Sequence, residues 1–210
     1  MKIAILQGST QTDKNALLYQ CTLKATERHG HEVFNFGVFP EEKENYAYTD
    51  IALLVALLIN SKAVDFVITG CSSGQGIQLA CNALPNVLCG YVPTPQDAYL
   101  FARINNGNVA SLSLGLGFGW LGDLQLQYIL DQLFCEPFGI GYPPAQAVRK
   151  VKESNIVKEL HHIAKRPMPE VLQKLDLNLV QKALHKQNVI EHILHHSKDE
   201  ALCDYLRTLI

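Results

Sequence analysis

The sequence predicts an α/β fold: a doubly wound, five-stranded parallel sheet with helices on both faces, continued by an α-helical C-terminal extension. Three observations carry this reading. Five short apolar or β-branched runs alternate with segments of helical periodicity over the first 143 residues. One of those runs, Val64 to Thr69, breaks abruptly into Gly70-Cys71-Ser72-Ser73-Gly74-Gln75-Gly76 and resumes with Ile77, Leu79, Ala80 and Cys81, a strand-to-helix turn. Beyond Gly139-Ile140-Gly141-Tyr142-Pro143-Pro144 no strand pattern returns.

In chain order, Lys2 to Leu6 reads as the first strand. The polar stretch Gln7 to Asp13 turns into a helix carrying Leu17, Leu18, Cys21 and Ala25, with Thr12 or Asp13 as its cap and Gly30 as its stop. Glu32 to Phe36 is the second strand, and Glu41 to Asn45 an acidic surface loop. Thr49 is placed to cap an apolar helix through Ile51, Leu54, Ala56, Leu57 and Leu58. After the central strand and turn, Asn86 to Val92 is a buried strand and Thr94 to Ile104 a helix with Pro95 in its first turn. Asn105-Asn106-Gly107 is a turn, Val109 to Leu114 the fifth strand, Gly115 to Gly122 a glycine-rich connection and Leu124 to Phe134 a helix. The extension holds helical runs at Val151 to Ala164, Pro169 to Lys174, Leu177 to His185, Val189 to His195 and Glu200 to Leu209. Two units follow, a Rossmann-like unit at residues 1–143 and a helical extension at 144–210.

The bulk properties exclude several classes. A chain of 210 residues that is 48% hydrophobic and 18% charged has ample material for a core. A formal net charge of −2 gives no basis for a nucleic-acid or acidic-membrane partner. The most apolar stretch, Ile51 to Ile59, is too short to span a bilayer, and Met1-Lys2-Ile3-Ala4-Ile5-Leu6 enters a strand directly without a secretory signal. Six cysteines, at 21, 71, 81, 89, 135 and 203, lack any Cys-x-x-Cys spacing, so reduced thiols in a cytoplasmic protein are expected.

The chemistry concentrates in the Gly70–Gly76 turn. The first turn of a helix presents unpaired N–H groups and the positive end of a dipole, an anion site. A thiol placed there ionises more easily than a free cysteine, although a single cysteine is commonly a small buried hydrophobe. Glycines 70, 74 and 76 do not form Gly-x-Gly-x-x-Gly and no Gly-Lys-Ser/Thr follows, which weakens nucleotide readings. His161-His162 and His192-x-x-His195-His196 lack a ligand set at zinc spacing and read as solvated helix faces; no metal site is expected. Gly115 to Trp120 is placed to line a pocket or only to turn the chain into its last core helix, and Tyr46 and Tyr48 to hydrogen-bond a ligand or bury at a helix entrance.

With these residues in view, the chain resembles the ribose-5-phosphate isomerase B / galactose-6-phosphate isomerase family over roughly residues 1–143. Thr69 to Asn82 is similar to the family's Cys-Gly-Thr-Gly-x-Gly…Ala-x-Asn loop and helix, and Asn105-Asn106-Gly107-Asn108-Val109 looks like its Asn-x-x-Asn-Val turn. Lys2-Ile3-Ala4-Ile5, Gly30 to Gly37 and Phe138 to Gly141 fall in matching order. The resemblance implies aldose–ketose isomerisation of a phosphorylated sugar through an enediolate, with no metal or organic cofactor. It implies Cys71 as the base that moves a proton between C1 and C2. Backbone donors at Ser72, Ser73, Gly74 and Gly76, beside Gly70, would hold the developing oxyanion. Asn82 and Asn105 match family positions that hold the loop or the sugar hydroxyls, and a homodimer or dimer of dimers with the site between subunits is implied.

The departures lie in ring opening and phosphate binding. The family's Asp-His pair after the first strand is replaced by Gln7-Gly8-Ser9-Thr10-Gln11-Thr12-Asp13, and its later histidine by Ile104. Residues 1–143 hold only His29 and His31, at a helix-to-strand corner, so no imidazole is available for ring opening; Asp13 is a weaker substitute or a helix cap. Tyr142 stands where the family has arginine, leaving Arg103 and Arg149 as the candidates for a phosphate clamp, each read first as a surface charge. A substrate available in open-chain form, or outside the usual ribose and galactose phosphates, is therefore expected. The alternative is a protein on the same scaffold that binds a sugar phosphate without turning it over.

Overall fold

The computed structural model describes residues 1–210. Strands β1 (Lys2–Ile5), β2 (Glu32–Asn35), β3 (Phe66–Cys71), β4 (Cys89–Tyr91) and β5 (Val109–Ser113) form one sheet in the order β2-β1-β3-β5-β4. Every pairing is parallel; Ile3 pairs with Phe66, Cys71 with Ser113 and Cys89 with Val109. Sheet residues Ile3, Ile5, Val67, Ile68 and Ala110 are all buried, as strands covered on both faces require.

Helices α1 (Asn15–Thr26), α4 (Pro95–Leu100) and α5 (Gly122–Phe134) cover one face, where Leu18, Ala98, Leu126, Leu130 and Leu133 meet Ile3, Ile5, Phe66 and Ile68. Helices α2 (Tyr48–Asn60) and α3 (Gln75–Ala83) cover the other, packing on Ala4, Leu6 and Val67. Residues Asp50 to Asn60 of α2 are all buried. A helix apolar on every side needs a second neighbour, and the extension supplies it. The extension consists of α6 (Ala147–Ala164), α7 (Met168–Lys174), α8 (Leu177–Leu184), α9 (Gln187–His196) and α10 (Glu200–Leu209). Leu172, Val180, Leu184, Ile190, Ile193, Leu202 and Leu206 join the same apolar cluster as α2. Two ion pairs fasten this layer: Lys182 Nζ to Asp50 at 2.8 Å, and the buried Lys186 Nζ to Glu42 at 2.6 Å. Helix α6 differs, with Ser154 its single buried residue and Val148, Val157, Leu160 and Ile163 exposed. No helix is long and apolar enough to cross a membrane.

Several local expectations hold. Gly30 ends the first helical segment at φ +61°, and Thr94 caps α4 by accepting from the Asp97 N–H at 3.1 Å, with Pro95 following. Others change. Neither Thr12 nor Asp13 caps α1; a 3₁₀ turn over Ser9–Lys14 precedes the helix, and Asp13 pairs with Lys14 instead. Thr49 does not cap α2, which begins one residue earlier at Tyr48; Asp50 in its first turn accepts from the Ala47 N–H at 2.8 Å. Thr49 is the second residue inside the helix, too far in for its hydroxyl to accept from the first-turn N–H groups.

Candidate functional site

The sheet order places the crevice between the carboxyl ends of β1 and β3, where the chain switches from building outward on one side to the other. Ligands in open α/β sheets bind at such points. Two loops meet there: the Gly8 N–H donates to the Gly70 carbonyl at 3.0 Å, and Cys71 is the last residue of β3 rather than a member of the turn. Glycine is required at two positions. A Cβ on Gly70 would lie 2.7 Å from the Leu112 carbonyl oxygen; one on Gly74, at φ +74°, would meet Tyr91 at 2.7 Å and Leu112 at 2.8 Å. This close packing of β3 and the turn on β5 fixes where the amides point.

Cys71 is half-buried, and the Gly74 N–H donates to its Sγ at 3.2 Å. The N–H groups of Ser72, Ser73 and Gly76 make no hydrogen bond within the chain, while that of Gln75 reaches Ser73 Oγ at 3.4 Å. Sulfur and free amides thus share one turn at the start of α3. The Ser72 carbonyl is held by the Gly115 and Leu116 N–H groups at 3.1 and 2.7 Å, and the Gly74 carbonyl by Ser111 Oγ at 2.6 Å. Every carbonyl so occupied leaves the amide side of the turn free for an anion.

The walls come from separate loops. Gln11 is 7% exposed and its Nε2 donates to Ser72 Oγ at 3.0 Å, a contact across 61 positions that no local motif announces. The Tyr48 ring lies against Gly76, at 3.8 Å from where a Cβ would stand. Tyr46 is buried beneath, and burial with Glu42, Glu44 and Asp50 nearby pushes its hydroxyl up to about 12. It therefore stays protonated near neutral pH. Beside this site Leu116, Gly117, Phe118, Leu121 and Gly122 line a hollow of about 380 Å³ with Tyr91 and Ser113; Gly115, Gly119 and Trp120 lie outside its lining.

The remaining expected site residues are not gathered at Cys71 within one chain. Asn82, at the end of α3, accepts from the Cys89 N–H at 2.9 Å and donates to the Cys89 carbonyl at 2.8 Å. Asn105 sits in a π-helical turn, Phe101–Asn105, before β5. Since Cys71 pairs with Ser113, the start of β5 at Val109 is already four residues, about 13 Å, away along the sheet. Asn82 and Asn105 instead line a second cavity of about 560 Å³ beside edge strand β4, with Asp97, Lys150 and Glu153. Arg103 is buried with 0% exposure; its guanidinium donates to the carbonyls of Leu133 and Glu136 and stacks near Tyr99 and Phe138. It thus satisfies one carbonyl in the last turn of α5 and one just beyond the helix rather than facing a cleft. Arg149, on α6, is exposed and paired with Glu153 at 2.6 Å.

Two of the histidines expected on solvated faces are not there: His161 is half-buried with its Nε2 3.2 Å from the Leu84 carbonyl oxygen. His192 is not on a solvated face: its ring is 4.5 Å from Phe34, 5.1 Å from Phe36 and 4.3 Å from His196, and its Nε2 is buried without a partner. The expectation failed because the face α9 turns toward β2 depends on packing between elements far apart in sequence. No three His, Cys, Asp or Glu side chains converge as a metal site.

The geometry can be set beside known proteins. The sequence model of the family described as ribose/galactose isomerase matches residues 3–150. No curated protein matches the chain by sequence. Among solved structures, a 4-deoxy-L-threo-5-hexosulose-uronate ketol-isomerase complexed with a tartrate is 37% identical, with a TM-score of 0.94 over 100% of this chain and 99% of that one. A ribose-5-phosphate isomerase from Vibrio parahaemolyticus is 36% identical, with a TM-score of 0.94 over the same shares. The type B ribose 5-phosphate isomerase of Trypanosoma cruzi, 20% identical over 77% of this chain and 98% of that one with a TM-score of 0.61, shares the fold.

Proposed function

The chain belongs to the ribose/galactose isomerase family and is a sugar isomerase; on that premise we propose that it interconverts the aldose and ketose forms of an open-chain sugar acid, with Cys71 as the base. The observation that carries this reading is the Gly74 N–H directed at Cys71 Sγ, 3.2 Å away, with the free amides of Ser72, Ser73 and Gly76 alongside. The sulfur, as thiolate, takes the proton from C2 of the aldose. Electrons move into the C1–C2 bond and onto the C1 oxygen, giving an enediolate held by the turn's amides. The same proton, or one exchanged with water, returns to C1 while a hydroxyl proton passes from the C2 oxygen to the C1 oxygen. Each amide aimed at the oxyanion contributes roughly 3 kcal/mol to lowering the barrier.

The substrate class follows from what surrounds the turn. No imidazole lies in the loops around Cys71, and neither Arg103 nor Arg149 reaches them in one chain. The 37%-identical ketol-isomerase is named for a 4-deoxy-5-hexosulose uronate. Such a sugar has no hydroxyl at C4 and a ketone at C5, so neither hydroxyl that closes a ring on C1 is present and no ring-opening acid is required. Its carboxylate replaces the phosphate as the anionic handle. The equally similar Vibrio structure supports a second reading, ribose 5-phosphate, with Arg149 of a neighbouring copy as phosphate clamp.

We further propose a cytoplasmic homodimer in which Asn82, Asn105 and the α6 cations of one copy complete the Cys71 site of the other. The six free cysteines suit a reducing compartment, and the exposed apolar residues of α6 suit a second copy. Offering the protein 4-deoxy-L-threo-5-hexosulose-uronate and ribose 5-phosphate separately, with product followed by NMR, tests the substrate. The uronate is expected to turn over at least 100-fold faster, roughly what a lost ionic contact costs in discrimination. The reverse order supports the phosphate reading, and turnover of neither, with either sugar bound in calorimetry, supports sugar binding without catalysis.

A further inference from the structure

We infer that Gln11 and the Ser72 hydroxyl form a pair that reads substrate hydroxyls at the Cys71 turn, an inference that rests on the isomerase reading of this site. Ser72 follows the sulfur-bearing residue directly and is exposed. Its Oγ accepts from Gln11 Nε2 at 3.0 Å, so its own hydrogen is turned away from Gln11, and that hydrogen makes no bond within the chain. The hydroxyl is a donor beside the free Ser72 and Ser73 amides, positioned for the oxygen on the reacting carbon. Gln11 Oε1 likewise accepts no hydrogen bond within the chain. The rest of Gln11 is locked: the residue is 7% exposed, interrupts its 3₁₀ turn at φ −130°, ψ 29°, and its amide lies 3.2 to 3.3 Å from where a Cβ on Gly115 would stand. One side chain is therefore wedged among the loops that follow β1, β3 and β5, with a single acceptor left over. That acceptor suits a substrate hydroxyl on the carbon next to the reacting pair. Gln11 is thus a positioning residue for Ser72 and a specificity residue toward the substrate.

The pairing can be tested with two small diacids that differ only in hydroxyl groups, tartrate and succinate. Calorimetry on the full-length protein is expected to show tartrate bound at least about tenfold more tightly, because succinate leaves the donor and the acceptor unmatched. Ser72→Ala, on the surface of the turn, and Gln11→Leu are each expected to bring that ratio close to one. Gln11→Glu keeps the shape but can only accept, so it draws the Ser72 hydrogen to itself and also lowers the ratio. In turnover, Ser72→Ala and Gln11→Glu are expected to lower kcat about tenfold or more, with the double variant no worse than the worse single one. Equal binding of the two diacids by the wild type, no binding of either, or a preference unchanged in Ser72→Ala overturns the inference. Wild-type protein that prefers tartrate, loses the preference in the variants, yet isomerises neither sugar overturns the isomerase reading and leaves hydroxyl reading intact.

Discussion

At the carboxyl edge of the sheet the groups presented to a ligand are main-chain amides and one sulfur; beside β4 they are side chains, among them Asn82, Asn105, Asp97, Lys150 and Glu153. The first set is fixed by backbone packing: Gly70 and Gly74 admit no Cβ because β5 and Tyr91 are already in the way. The second set is held by side-chain contacts, Asn82 by the backbone of Cys89 and Glu153 by Arg149. On the reading proposed above, the first set would serve as anion cradle and the second as recognition surface. The parallel register keeps the two apart in one chain, and only a second copy could bring them together.

The strongest way to break this comparison is complementation. Cys71→Ala and Asn105→Ala are each expected to lower turnover by at least about 100-fold. Co-refolded in equal amounts, they should recover about a quarter of the wild-type rate, since half of randomly paired dimers carry one intact site. No recovery, with dimers present by sizing, would assign each site to a single chain. The next effect concerns Arg103, which belongs to neither edge. Arg103→Met is expected to lower stability by about 3 kcal/mol in urea titration, because the carbonyls of Leu133 and Glu136 lose their donor. Turnover per folded molecule should be unchanged; a raised KM with normal stability would restore it as an anion clamp. Asn82→Ala should cost about 1 to 2 kcal/mol through the two lost bonds to Cys89, read from the same titration.

The smallest effect is on pH. Burial holds the His192 imidazole below its ordinary value of 6.5, with His196, His195 and Lys2 adding repulsion, and burial does the same for His161 and His31. The unfolded chain therefore binds more protons just below 6.5, so stability is full above that value and declines as pH falls through it. Denaturation midpoints at pH 7.5 and 5.5 are expected to fall in that order, and His192→Phe should flatten the difference. A midpoint that rises on acidification would contradict the burial of these rings.

What could be read from the sequence follows the same division. The strands and the Cys71 turn are contiguous, so β-branched runs ending in glycines reveal both at once. Helix starts were less legible: Thr49 has the composition of a cap, but the helix already starts at Tyr48, with Ala47 in the capping position and its N–H held by Asp50. Gln11, His192 and Arg103 owe their roles to partners 61, 158 and 30 positions away, Ser72, Phe34 and Leu133, and such pairings carry no local pattern. The extension reads as amphipathic helices, yet only the folded chain shows that α2, apolar all round, is what they cover.

The central claim, that the Cys71 sulfur carries the proton between C2 and C1, is tested most directly by NMR in heavy water with 4-deoxy-L-threo-5-hexosulose-uronate as substrate. Wild-type protein is expected to introduce solvent deuterium at the carbon that receives the proton, and Cys71→Ala to introduce none while remaining folded. Deuterium incorporation by Cys71→Ala at the wild-type rate would contradict the account.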